Sequence, residues 1–253
     1  MFKPHSTTQN LCLKGGLWRY DPPQIIDYAK SPYWDDDEAE IKEGLWNAFF
    51  EENLRWLEGK YLVDIGCGAG HFVNYANSHG RNCVGVDENP INHIHIMSVP
   101  QYFNLNLPAK PSGRMRLVLE HVPDPFEFLT FWRDHLKQLL IIVPNEFNSL
   151  QLELTEKYGY SPVDPKHSTY FTPYSLRMLC NETGWTVVKE SSTFPMELWC
   201  RLGFNYIQNP ALGLKVHRAR LKFETSLPHL AFRLYKYWYD TFKWGRELVF
   251  LVE

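Results

Sequence analysis

Between residues 60 and 145 the apolar positions fall in short continuous runs, not in strict alternation. Tyr61–Ile65, Cys83–Val86 and Leu139–Val143 are such runs, each bounded by Gly, Asp or Pro. Runs of this length and bounding read as strands buried on both faces. Between the first two, Gly70–His79 predicts a helix that Gly80 stops. Strand, glycine turn, helix and strand make one βαβ unit, and such units build parallel sheets. Further along, Tyr102–Leu107 predicts a third strand and the brief Arg114–Leu119 a fourth. Pro125–Leu136 predicts a helix. Pro173–Cys180 predicts another, with Thr172 as cap and Gly184 as stop, before a strand at Trp185–Lys189.

Upstream, residues 1–34 read as irregular and rich in Pro and Tyr. Asp35, Asp36 and Asp37 then offer N-cap chemistry to a helix marked by Ile41, Leu45, Phe49 and Leu54 at period 3.6, ending near Gly59. Residues 195–245 read as mainly helical, and Glu247–Val252 returns to strand. The expected division is therefore 1–58 as an N-terminal extension and helix, 59–194 as an α/β core, 195–245 as a helical aromatic cap, and 246–253 as the final strand. The cap is then an insertion between the last two strands of one doubly wound sheet.

Composition narrows the picture only slightly. The chain has 253 residues, 44% hydrophobic, 22% charged and 15% aromatic, which suits a globular protein. A net charge of −3 gives no electrostatic case for nucleic acid. Five scattered cysteines, Cys12, Cys67, Cys83, Cys180 and Cys200, fit reduced thiols and a cytoplasmic location. Neither a signal-type segment nor a transmembrane run is present in the sequence.

The chemistry concentrates at Asp64-Ile65-Gly66-Cys67-Gly68-Ala69-Gly70. Gly66 and Gly68 allow a sharp turn and a close ligand approach. The turn opens a helix whose first N–H groups favour a carboxylate. Asp64 is placed to hold the loop or to accept from a ligand amine. Asp87, ending the next strand, is placed to take two ribose hydroxyls. This combination suits S-adenosylmethionine. The competing ligand is NAD, whose fingerprint G-x-G-x-x-G needs a glycine where His71 stands.

These segments carry a resemblance. Leu62–Phe72 (LVDIGCGAGHF), Val84–Asn89 (VGVDEN), Leu117–Pro125 (LVLEHVPDP), Ile141–Glu146 (IIVPNE) and His167–Leu176 (HSTYFTPYSL) resemble motifs of the class I S-adenosylmethionine-dependent methyltransferases. The resemblance spans about 60–190. It implies a seven-stranded Rossmann-like sheet, mostly parallel, with Glu247–Val252 as its antiparallel last strand. It also implies that Cys67, Phe72 and Glu88 contact the cofactor alongside Asp64, Gly66, Gly68, Gly70 and Asp87. The adenine end falls on Asn104 and Leu105, where relatives often carry an acidic residue. Arg116 stands in a fourth strand several residues shorter than the family pattern.

Methyl transfer to oxygen benefits from a general base, and the candidates are His121 and His167. Glu120 adjoins His121, but no second carboxylate stands at ligand spacing, so no metal is expected. His93 and His95 read as surface or packing residues. The expected acceptor is a small molecule or glycan, selected by the aromatic cap. Interleaved basic and aromatic residues over 213–246 also allow peripheral membrane contact. An NAD-dependent oxidoreductase and a non-catalytic partner subunit are the alternative readings.

Overall fold

The computed structural model describes residues 11–14, 17–20, 39–88, 94–159, 164, 166–209 and 211–253. The expected Asp35–Asp37 cap and His93 lie outside them. In chain order the elements are β1 (Leu11–Lys14), β2 (Leu17–Tyr20), α1 (Ala39–Trp56), β3 (Tyr61–Ile65), α2 (His71–Ser78), β4 (Asn82–Val86), β5 (Ile96–Met97), α3 (Val99–Phe103) and β6 (Ser112–Arg116). There follow α4 (Pro125–His135), β7 (Gln138–Pro144), α5 (Ser149–Tyr158), β8 (Thr169–Tyr170), α6 (Pro173–Glu182) and β9 (Val187–Ser192). Three helices, α7 (Leu198–Arg201), α8 (Ala211–Ser226) and α9 (His229–Thr241), precede β10 (Glu247–Val252).

Seven strands form one sheet in the order β5-β4-β3-β6-β7-β10-β9. The first five pair in parallel, and β10 runs antiparallel to both β7 and β9. The sheet is therefore the expected doubly wound one, with the helical segment inserted between its last two strands.

Period-two alternation in the central strands feeds two cores. Val63, Ile65, Met115, Leu139, Ile141, Val143, Phe250 and Val252 face α4 and α6 with Trp132, Leu129 and Leu176. Leu62, Leu140, Ile142, Val249 and Leu251 face α1 and α2 with Phe50, Leu54, Phe72 and Val73. Each fully buried side chain of this size contributes about 1.5–3 kcal/mol. Gly113 is needed for close approach, because a Cβ there would sit 2.5 Å from Leu136 Cδ1. Helix α4 starts at Asp124, whose carboxylate accepts from the N–H groups of Phe126 and Glu127 at 3.0 Å. Thr172 and Ser175 form a capping box at the start of α6.

Three expectations change. Tyr102–Leu107 is not a strand: Val99–Phe103 is a helix started by Ser98 and Pro100, and the third strand is the two-residue β5. The fourth strand is not trimmed, since β6 pairs with β3 on one side and β7 on the other. In the loop after it Leu117 adopts φ +56°. Residues 11–14 and 17–20 are not irregular, because β1 and β2 pair and extend to β8 as a second, three-stranded sheet.

Candidate functional site

The glycine loop follows β3. Gly66, Gly68 and Gly70 have φ of +66°, +51° and +76°. The N–H groups of Gly66 and Cys67 donate to Val86 O at 2.7 and 3.3 Å, which ties the loop to the end of β4. Gly68 N–H donates to Asp87 Oδ2 at 2.9 Å. Helix α2 then starts at Gly70 with no side-chain cap. Asp87 and an uncapped helix start thus meet at one loop, at the carboxyl ends of parallel strands, where open α/β sheets bind ligands.

Beneath the loop Asp64 is buried, and its carboxylate accepts from Arg114 Nη1 at 2.7 Å. Arg114 Nε donates to Asn53 Oδ1 at 2.8 Å, and its guanidinium lies 4.3 Å from the Phe72 ring centroid. Phe72 is therefore a core side chain. Arg116 also turns to the α1 side: it donates to Glu247 Oε1 at 2.7 Å and covers the Phe49 ring. Cys67 packs over Gly85, where a Cβ would be 2.5 Å from its Sγ, and burial pushes its thiol far up. It is filler, not a nucleophile.

The short loop after β6 joins this region to a second one. Val118 Cγ2 would lie 2.3 Å from a Cβ on Gly66. His121 N–H donates back to Val118 O at 2.9 Å, so Glu120 and His121 sit one turn beyond that contact. Ser168 and Thr169 donate their N–H groups to Glu120 O at 2.7 and 3.1 Å, which brings His167 alongside. The His121 and His167 rings are 4.9 Å apart. His167 Nδ1 meets Glu146 Oε1 at 2.5 Å, and His121 Nδ1 meets Lys166 O at 3.2 Å. Glu120 is 1% exposed, and neither of its carboxylate oxygens has a hydrogen-bond partner.

Electrostatics follow from that burial. Desolvation above all pushes the Glu120 carboxyl well above the usual carboxylate range. Desolvation, aided by the neighbouring His167, lowers His121 to about 4, so its imidazole is neutral at physiological pH. Glu146 had no assigned role in the sequence reading. Its signal was its place just past the buried run Leu139–Val143, where strand-end carboxylates collect in this kind of sheet.

A model of a methyltransferase domain matches residues 33–190. The chain belongs to this methyltransferase family. No curated protein matches the sequence. Among solved structures, a SAM-dependent methyltransferase from Archaeoglobus fulgidus aligns at 17% identity and TM-score 0.53, over 87% of this chain and 99% of that one. A 1,6-didemethyltoxoflavin N1-methyltransferase from Burkholderia thailandensis aligns at 15% identity and TM-score 0.44, over 71% and 89%. Magnesium protoporphyrin IX methyltransferase from Synechocystis aligns at 14% and 0.45, over 66% and 84%. The fold is that of the SAM-dependent methyltransferases, and S-adenosylmethionine is the methyl donor.

The residues present fit that cofactor unevenly. The uncapped start of α2 has the chemistry to take a methionine carboxylate, and the Asp87 carboxylate lies at the same loop, where it accepts from Gly68 N–H. Asn104 and Leu105 are exposed in the turn after α3, and Glu88 is exposed after β4.

The inserted helices are tied back to the ends of β7 and β9. Asn145 Nδ2 donates to Lys243 O and Gly245 O at 3.0 and 2.9 Å, holding the chain that returns from the cap. Asp240 accepts from Ser191 Oγ, Ser192 N and Ser192 Oγ at 2.8 to 2.9 Å. Phe194, Met196 and Val216 form a small core there with Trp199, Tyr206 and Tyr235. Cys67, Cys83, Cys180 and Cys200 are free thiols. Among the described residues no helix is long and apolar enough to cross a membrane.

Proposed function

We propose that this methyltransferase moves the methyl group of S-adenosylmethionine to an oxygen of a small-molecule or glycan acceptor. In this reading the α2 start holds the methionine carboxylate, and Asp87 takes the ribose hydroxyls. The glycine loop presents backbone where side chains would collide. The sulfonium methyl is already electrophilic, so the protein chiefly positions the acceptor in line with it. The observation that carries the oxygen reading is the cluster of His121, His167, Glu120 and Glu146 one turn beyond the loop's contact with Val118. A neutral amine acceptor needs little help of this kind, whereas a hydroxyl must lose a proton. His121 and His167 are assigned to activate it, and the ring-rich cap to exclude water and select the acceptor.

A cytoplasmic enzyme touching a membrane surface agrees with the cap's outer side. Leu230, Leu234, Tyr237, Trp238 and Phe242 are exposed at helical spacing along and just past α9. Residues 211–246 hold eight Lys or Arg against two Asp or Glu. An amphiphilic acceptor presented at an anionic surface fits both facts. The test is incubation of cell extract with isotopically labelled S-adenosylmethionine, with and without the protein, followed by mass spectrometry. A labelled methyl ether or ester, absent with His167→Ala, is expected. A labelled amine as sole product would overturn the oxygen assignment.

A further inference from the structure

We propose that Glu120, His121 and His167 bind one divalent first-row transition-metal ion, with Glu146 orienting His167. The inference rests on the oxygen-transfer reading for its role, but not for its evidence.

Ligand atoms from the three side chains lie within 4.8 Å of one another. Glu120 offers two buried oxygens without hydrogen-bond partners, and the neutral imidazole of His121 sets its Nε2 3.8 Å from Oε1. A buried carboxylate is costly unless paired or coordinated. The contrast lies within the same sheet, where Asp64 has its arginine.

The two histidines are held as ligands are held. Each sets Nδ1 against an oxygen that can only accept, the Glu146 carboxylate or the Lys166 carbonyl. That places the ring proton on Nδ1 and the lone pair on Nε2 in both rings. A carboxylate or carbonyl fixing the far nitrogen is the usual support of a metal-bound imidazole. The backbone bonds from Ser168 and Thr169 to Glu120 O pin the two chain segments together, so the cluster is preformed.

Two imidazole nitrogens and one carboxylate favour zinc, manganese or iron(II) over magnesium or calcium. Three protein ligands leave a position open for a substrate oxygen. Lying one turn past Val118, that position is on the acceptor side of the glycine loop. An ion there would raise the acidity of an acceptor hydroxyl, whose proton passes to water. The oxygen pair then bonds to the methyl carbon as the carbon–sulfur bond breaks, leaving S-adenosylhomocysteine.

The test is direct binding to the full chain after chelator treatment and desalting. Titration with Co2+, followed by visible absorption, and with Zn2+ or Mn2+, followed by calorimetry, should give one ion per chain. Glu120→Gln and His167→Ala should each weaken binding at least about 100-fold, and Glu146→Gln about 10–100-fold. All should still bind S-adenosylhomocysteine, which shows that they fold. Failure of the wild-type protein to take up any of the three ions, while it binds S-adenosylhomocysteine, would overturn the site. Equal uptake by Glu120→Gln would do the same. Ether formation unaffected by chelator, with no ion bound, removes the metal and leaves oxygen transfer standing. A bound ion with a methylated amine as product does the reverse.

Discussion

Asp64 and Glu120 are both buried carboxylates near the carboxyl ends of central strands, and they differ in what surrounds them. Asp64 lies under the glycine loop with a guanidinium 2.7 Å away, itself held by Asn53 and stacked over Phe72. Burial raises its carboxyl and Arg114 opposes that rise. Glu120 lies past the next strand with no hydrogen bond to either oxygen and two histidines beside it. The first is a closed structural network. The second has unmet bonding capacity beside two imidazoles, which is how functional sites differ from supports. In the proposed reading the donor end is thus framed by satisfied chemistry, and the acceptor end by unsatisfied chemistry.

The sharpest break is Arg114→Met. It keeps most of the volume but strands Asp64 as an unpaired buried charge. Urea unfolding should show a loss of about 3–5 kcal/mol. A loss below about 1 kcal/mol would mean that Asp64 is not held as a charged partner. Gly66→Ala strikes the seam between the regions, where the added Cβ meets Val118 at 2.3 Å and φ is +66°. The expected cost is about 2–3 kcal/mol, against about 1 for Gly80→Ala, which has the same handedness but open space. Because Val118 leads into Glu120, turnover should fall further than donor affinity does. Equal losses from Gly66→Ala and Gly80→Ala would remove the seam.

The donor end was the more legible of the two in sequence. Three alternating glycines, a strand-end Asp87 and buried apolar runs are local signals, and the structure assembles them as the spacing implied. The acceptor end depends on residues far apart. Glu146 reaches His167 across 21 positions and Lys166 reaches His121 across 45, and no local period announces such pairs. Arg114 was hidden in a segment that looked truncated, since Ser112-Gly113-Arg114-Met115-Arg116 lacks an apolar run. Its strand character comes from pairing on both sides. At Val99–Phe103 the helix has local causes instead, the Ser98–Gln101 capping box and Pro100, which the apolar run beginning at Tyr102 hides.

Asp87→Ala touches the donor end alone. It removes the acceptor of the Gly68 N–H bond and the carboxylate assigned to the ribose. Affinity for S-adenosylhomocysteine, measured by calorimetry, should fall about 10–100-fold, the range of hydrogen bonds to a charged group. An unchanged affinity would assign Asp87 to loop structure only.

The smallest effect is the most telling for the comparison. Glu120→Gln in chelator should leave stability within about 1 kcal/mol of wild type, on the stabilising side. The carboxylate has no hydrogen bond to lose, and burial already favours its uncharged form, which an amide imitates in shape and charge. Removing one partner of Asp64 costs several times more, although both sites are equally deep. If Glu120→Gln instead unfolds as readily as Arg114→Met, Glu120 is a structural group like Asp64. The two ends of the site would then be built on the same principle.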